Sequence, residues 1–211
     1  MQRFVVALTC AVGLTIGISD ADAGLLIDAG PASNQQAFIG GDYVAGSEFR
    51  TADSFTIRSL GWLDVEGDGL LFSHTVGLWD VASQALLASA TVTNSSSQLL
   101  SAQGTAVWYL ENISALVIGP GTYRVAGLVG PSDHLALSND KIGNGVTLPD
   151  GYVRTDFPNG GFGFPALSFP SQAIRATLST DAVGVPVPEP ASLGLLGLGL
   201  VALGVARRRK S

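Results

Sequence analysis

Between residues 24 and 187 the chain is built from short runs in which apolar and polar residues alternate, separated by clusters of Gly, Asn, Asp and Ser. A period of two puts alternate side chains on opposite faces of an extended strand, and the apolar face must then be covered by another sheet. Residues 172–179 show the pattern most clearly. Ile174, Ala176 and Leu178 share one parity, and Arg175 and Thr177 the other. Residues 70–80 set Leu70, Phe72, Val76 and Leu78 on one face, and residues 85–93 set Leu86, Ala88, Ala90 and Val92 inward. Residues 105–110 and 122–129 supply two more strands, separated by residues 113–118 and the turn Gly119-Pro120-Gly121. In residues 54–65 the apolar phase slips between Phe55 and Ile57 on one parity and Leu60 and Trp62 on the other, which predicts a β-bulge near Ser59. No amphipathic helix is evident in this part of the chain. Seven to nine short strands predict an all-β fold, an antiparallel β-sandwich or jelly-roll-like ectodomain.

The two ends read differently. Arg3, the apolar stretch 4–18 and the small residues Ala21 and Ala23 form a secretory signal peptide over residues 1–23, with Gly24 as the new N-terminus. Cys10 follows too few apolar residues to be a lipidation site. At the other end Pro188, Glu189 and Pro190 precede 16 uncharged residues, 191–206, and then Arg207, Arg208, Arg209 and Lys210. The prolines set a helix start near Ala191. A helix of that length rises about 24 Å, short of a hydrocarbon core of about 30 Å. Snorkelling of Arg207 and bilayer thinning make up the difference. The basic cluster stays on the cytoplasmic side, so the rest of the chain is exported.

Pro188-Glu189-Pro190, a short glycine-rich apolar helix and an Arg-rich cluster resemble the PEP-CTERM sorting signal of Gram-negative bacteria, over residues 185–211. The same tail also carries the label of an ice-binding protein C-terminal domain, which reports a shared tail and implies no ice binding. The resemblance implies handling by an exosortase that cuts near Pro188-Glu189-Pro190. It also implies a life among exopolysaccharide and biofilm. The implied route runs from the Sec translocon through a transient inner-membrane anchor to the cell surface or medium. Residues 55–129 resemble a β-sandwich module found with this tail. They carry Leu60-Gly61-Trp62-Leu63-Asp64, Gly67-Asp68-Gly69-Leu70, Val76-Gly77-Leu78-Trp79-Asp80 and Gly121-Thr122-Tyr123. That resemblance implies a fold and transfers no catalytic residue.

The exported part, residues 24–184, is long enough for one domain with its own core. The single cysteine of the chain, Cys10, leaves with the signal peptide, so the mature domain holds no disulfide. Residues 24–187 carry 14 acidic and 6 basic side chains, a net of −8. An acidic domain without a basic stripe argues against a nucleic-acid partner.

Few residues suggest chemistry. Asp64, Glu66 and Asp68 alternate around Gly67 and Gly69. An acidic, glycine-bearing loop suits calcium, although the EF-hand spacing and its final glutamate are missing. The alternative is a hairpin turn, where Gly and Asp tolerate positive φ. Carboxylates within one turn do not face each other across a sugar as a glycosidase pair must. His74 has the parity of Val76 and Leu78 and reads as a buried, hydrogen-bonded histidine. His134 lies beside Asp133, and two distant histidines without a cysteine make a poor zinc site. No G-x-S-x-G elbow, P-loop or dinucleotide fingerprint is present. The 42 residues 130–171 have little strand signal and read as a long loop rich in Gly, Pro and Phe. Its Phe162 and Phe164 either tuck into the core or form a platform for sugar rings. The expectation is a non-enzymatic, structural or adhesive surface or matrix protein without a cofactor. A carbohydrate-binding module is the alternative, and an extracellular hydrolase the second.

Overall fold

The structure, a computed structural model, describes residues 24–30, 34–37, 43–130, 134–137, 141–149, 152–156, 161–169 and 173–183. The signal segment 1–23 with Ala21 and Ala23, and the tail 185–211 with its helix 191–206, lie outside the described residues. Among the described residues no helix is long and apolar enough to cross a membrane.

The described chain is all-β. Its strands are β1 (Ile27–Ala29), β2 (Asn34–Ala37), β3 (Tyr43–Thr51), β4 (Phe55–Asp64), β5 (His74–Asp80), β6 (Leu86–Val92), β7 (Ser97–Leu100), β8 (Val107–Ile118), β9 (Gly121–Leu128), β10 (His134–Leu137), β11 (Lys141–Gly143), β12 (Tyr152–Asp156), β13 (Leu167–Phe169), β14 (Ala173–Ile174) and β15 (Ala176–Ser179). Every pairing between them is antiparallel. A six-stranded sheet runs β13-β12-β3-β9-β5-β6 and a four-stranded sheet runs β15-β4-β8-β7. Two smaller sheets, β14-β10-β2 and β1-β11, complete the pairing.

Both larger sheets feed one buried cluster. Tyr43, Ala45 and Phe49 of β3, Val76 and Leu78 of β5 and Val125 of β9 meet Ile57, Leu60 and Trp62 of β4 and Ala176 and Leu178 of β15. The bulge anticipated near Ser59 is present, because the register shifts between Ile57 and Ser59. Ile57 pairs with Leu116 and Ser59 with Asn112, so three residues of β8, 113–115, stand against the single Arg58, and the two extra residues belong to the partner strand β8. The shift lets Ile57, Leu60 and Trp62 enter the same core despite their uneven spacing, while Arg58 points to solvent.

The opposite face of β4 and β8 is buried as well. Leu63, Val65, Trp108 and Leu110 pack with Leu25, Ala29 and Ile174 in a second cluster. Its polar centre is Asp28, a buried carboxylate in β1. Asp28 accepts hydrogen bonds from Trp108 Nε1 (2.6 Å), Ser101 Oγ (2.6 Å), and the Ala102 (2.9 Å) and Ala29 (2.7 Å) amides. Four donors compensate for the water this charge loses, and they tie the N-terminal strand to β8.

Several expectations need correction. The described residues hold fifteen strands, against seven to nine. The stretch 130–171 is not one loop, since β10, β11, β12 and β13 lie within it. They are short, and most pair with strands distant in sequence, such as β1, β2 and β3. Residues 107–118 form one bulged strand, where a break was expected. Phe72 is 44% exposed because residues 71–73 precede β5 and lie outside any strand. Leu86 is 48% exposed because the β5–β6 register shifts between Leu78 and Trp79, beside it. Ile174 enters the second cluster, apart from Ala176 and Leu178, because the strand is interrupted at Arg175.

Trp62 decides how closely the larger sheets approach. Its ring stacks on His74 of β5 at 4.5 Å and 12°, and the Arg175 guanidinium lies 5.9 Å from its centroid. A Cβ at position 127 of β9 would stand 2.5 Å from the Trp62 ring. Gly127 is therefore required by the close approach of the indole. Gly127→Ala is expected to lower unfolding stability by about 1–3 kcal/mol, the usual cost of overpacking a dense core. Urea denaturation checks this, and an unchanged midpoint would contradict the packing described.

Candidate functional site

The acidic turn grows out of β4, whose last residue, Asp64, is buried. Its Oδ1 accepts the amides of Glu66 (3.2 Å) and Gly67 (2.9 Å), and its Oδ2 that of Gly69 (2.8 Å). Gly67 and Gly69 have φ of 71° and 113°, in the region where a side chain is strained. Asn94 closes the turn, accepting the Leu70 amide (2.6 Å) and donating to the Leu70 carbonyl (2.5 Å). Glu66 and Asp68 are exposed. Calcium needs several oxygens aimed at one point, whereas both oxygens of Asp64 are aimed at the loop's own amides. Among the described residues no group of three or more His, Cys, Asp or Glu is placed to hold a metal ion. This geometry is that of a turn stapled by its first carboxylate; the expected hairpin is not formed, because β4 and β5 belong to different sheets and the turn carries the chain from one to the other. Asp64 and Asp68 still act on Tyr109, whose hydroxyl is pushed above its ordinary pKa by burial first and then by these two charges.

His74 is buried, as its parity anticipated, with Nδ1 3.0 Å from the Leu128 carbonyl and its ring on Trp62. It is part of the core. The side chain of His134 and the whole of Asp133 lie outside the described residues.

Phe162 and Phe164 form a different kind of surface. Val44, Trp79 and Ala126 are sequence neighbours of the core residues Tyr43, Leu78 and Val125, so they point to the opposite face of the six-stranded sheet. Both phenylalanines pack on that face, half-buried. Phe162 meets Trp79 at 5.2 Å and 46°. A Cβ on Gly77 would stand 2.9 Å from Phe162 Cζ, so the glycine makes room for the ring. Phe164 lies under Arg124, whose guanidinium carbon is 5.0 Å from the ring centroid.

Arg124, on β9, is the clamp of this segment. Its Nε and Nη2 donate to Glu48 Oε2 at 3.0 and 2.8 Å. Its Nη1 donates to the carbonyls of Pro165 and Ala166. A buried guanidinium thus spends its donors on a neighbouring strand and on the segment carrying both rings. Arg124 and Glu48 were not singled out from the sequence, and Trp79 was read only as part of the Val76–Asp80 motif. The available signal was a cation inside the apolar run Gly121–Leu128; its partners at 165 and 166 lie 41 and 42 residues away.

The sorting residues Pro188, Glu189, Pro190, Arg207, Arg208, Arg209 and Lys210 lie outside the described residues. A family model described as a PEP-CTERM protein-sorting motif matches residues 186–210. The chain carries a PEP-CTERM sorting motif. That motif implies an exosortase as processing partner and export to the cell envelope or surface. No curated protein matches the chain.

The domain therefore carries an aromatic patch on this face of the six-stranded sheet, with Arg124 over one of its rings. If the rings mainly cover the sheet, the double substitution Phe162→Ala and Phe164→Ala lowers stability by about 3–5 kcal/mol, the figure for one fully buried ring, since each of the two is half-buried. Urea denaturation is the check. A double variant of wild-type stability that no longer binds polysaccharide would instead make the rings a binding platform.

Proposed function

We propose that this chain is exported cargo with a structural or adhesive role at the cell surface or in an exopolysaccharide matrix, without enzymatic activity. The observation that carries the reading is the sorting motif at residues 186–210, joined to a separate acidic all-β domain. In this reading residues 1–23 are a removed signal peptide, and residues 24–184 form a β-sandwich whose two layers are the six- and four-stranded sheets. The apolar segment 191–206 anchors the chain transiently until an exosortase cuts near Pro188-Glu189-Pro190. The non-enzymatic part is supported by how the chemistry-bearing side chains are used. Asp28 holds a buried network, Asp64 staples a turn and His74 stacks in the core. Each is occupied by the fold.

A second reading, carbohydrate binding, is favoured by one observation. Phe162 and Phe164 pack over buried Trp79 on the sheet face opposite the main cluster, and both phenylalanines keep part of their surface accessible. A glycan array separates the two readings.

Sorting is tested by the intact mass of secreted protein from cells with and without an exosortase. The expected product begins at Gly24 and, where the enzyme is present, lacks the residues from about Ala191 onward. Secreted material still carrying residues 207–211 in exosortase-bearing cells would overturn the processing route.

A further inference from the structure

The amide nitrogen of Gly24 lies 2.9 Å from Asp181 Oδ2. Gly24 is also the residue that the small-residue pattern Ala21-Asp22-Ala23 places first after signal removal. We propose that Asp181 is a built receptor for the α-ammonium created by that cleavage, and that processing converts a neutral hydrogen bond into an ion pair locking the new N-terminus onto β15. The inference rests on the signal-peptide reading above and adds a site to it.

The rest of the site is already formed. The Gly24 carbonyl accepts from the Thr180 amide at 2.9 Å and from Thr180 Oγ1 at 3.3 Å. A Cβ at position 24 would stand 2.1 Å from Thr180 Oγ1, so a side chain there would displace the hydroxyl that bonds the Gly24 carbonyl. The two following residues run along the edge of β15. Leu25 bridges Ser179, and the Leu26 amide donates to the Leu178 carbonyl at 2.9 Å. Asn144 holds the segment from the other side, donating from Nδ2 to the Leu25 carbonyl (2.7 Å) and from its amide to that of Leu26 (3.1 Å).

The consequence concerns a sheet edge. β15 is the terminal strand of the four-stranded sheet, and residues 24–26 cover its open side. Unpaired strand edges are templates for association with other chains. An α-ammonium at residue 24 strengthens the outermost bond of that cover, because a charge-assisted hydrogen bond is stronger than a neutral one. Around Gly24 the hollow is lined by Leu25, Leu26, Phe55, Asn144, Gly145 and Thr180, none of them charged. Asp181 is therefore the charge that meets the amine.

The sign of the pH dependence follows. A nearby carboxylate raises the pKa of an amine. The stability it contributes is full below the ordinary α-amine range of about 7.7–8.0 and is lost as pH rises through the raised value. The experiment uses secreted protein whose mass establishes Gly24 as its first residue, in wild-type and Asp181→Asn forms. Competitive acylation of the α-amine is followed against pH by peptide mass spectrometry. The wild-type amine is expected to titrate upward of the ordinary range by about one unit. The variant is expected to titrate within that range, and its melting temperature to fall less between pH 7 and pH 10. Identical titrations in the two forms would overturn the ion pair while leaving signal cleavage intact. A mass beginning at any other residue would overturn the cleavage reading, and the receptor with it.

Discussion

The contact between Trp62 and what lies across from it sets the distance between the larger sheets. The indole leaves β4, stacks on His74 of β5 and occupies the space that a side chain at Gly127 of β9 would need. A large flat ring facing a glycine buries much apolar area and leaves little void. Residues near it on both sheets, among them Leu60, Val76, Val125 and Leu178, join the same cluster. The register shift in β4 and β8 is what lets Ile57 join them.

The same economy governs the polar groups. Asp28, Asp64 and Arg124 are buried, and each is held by several hydrogen bonds. Each ties a further segment to a strand of the larger sheets: β1 to β8, the 65–69 turn to β4, and residues 161–166 to β9. A buried charge left without partners is costly, so these side chains also fix where their segments lie. That is why a domain with few obvious catalytic features still holds several buried ionisable residues.

The sequence was most legible where a strand keeps its own local pattern. β4, β6 and β9 fall where alternation put them, and the phase slip near Ser59 announced the bulge. It could not say which strand carried the extra residues, because that depends on the pairing with β8. Alternation failed at Phe72 and Leu86, where the backbone leaves the regular ladder and parity stops predicting burial. The strands within 130–171 were missed because segments of three to five residues are held by partners far away in sequence. At the candidate sites, the acidic triplet was visible but the use of Asp64 by its own loop was not. Phe162 and Phe164 were visible too, while the arginine that clamps their segment was not. The sorting tail needed no tertiary context, since its order of features is local.

The buried clusters of the described residues draw all their members from between residues 25 and 183, and the expectation is that residues 24–183 fold without the segments that address the chain. The most direct test is to produce residues 24–183 alone and follow unfolding by circular dichroism and by tryptophan fluorescence. A β-type spectrum and one cooperative transition, coincident in both probes, are expected, with the midpoint of the secreted protein. A chain that aggregates, or that melts without cooperativity once the end segments are gone, would contradict it.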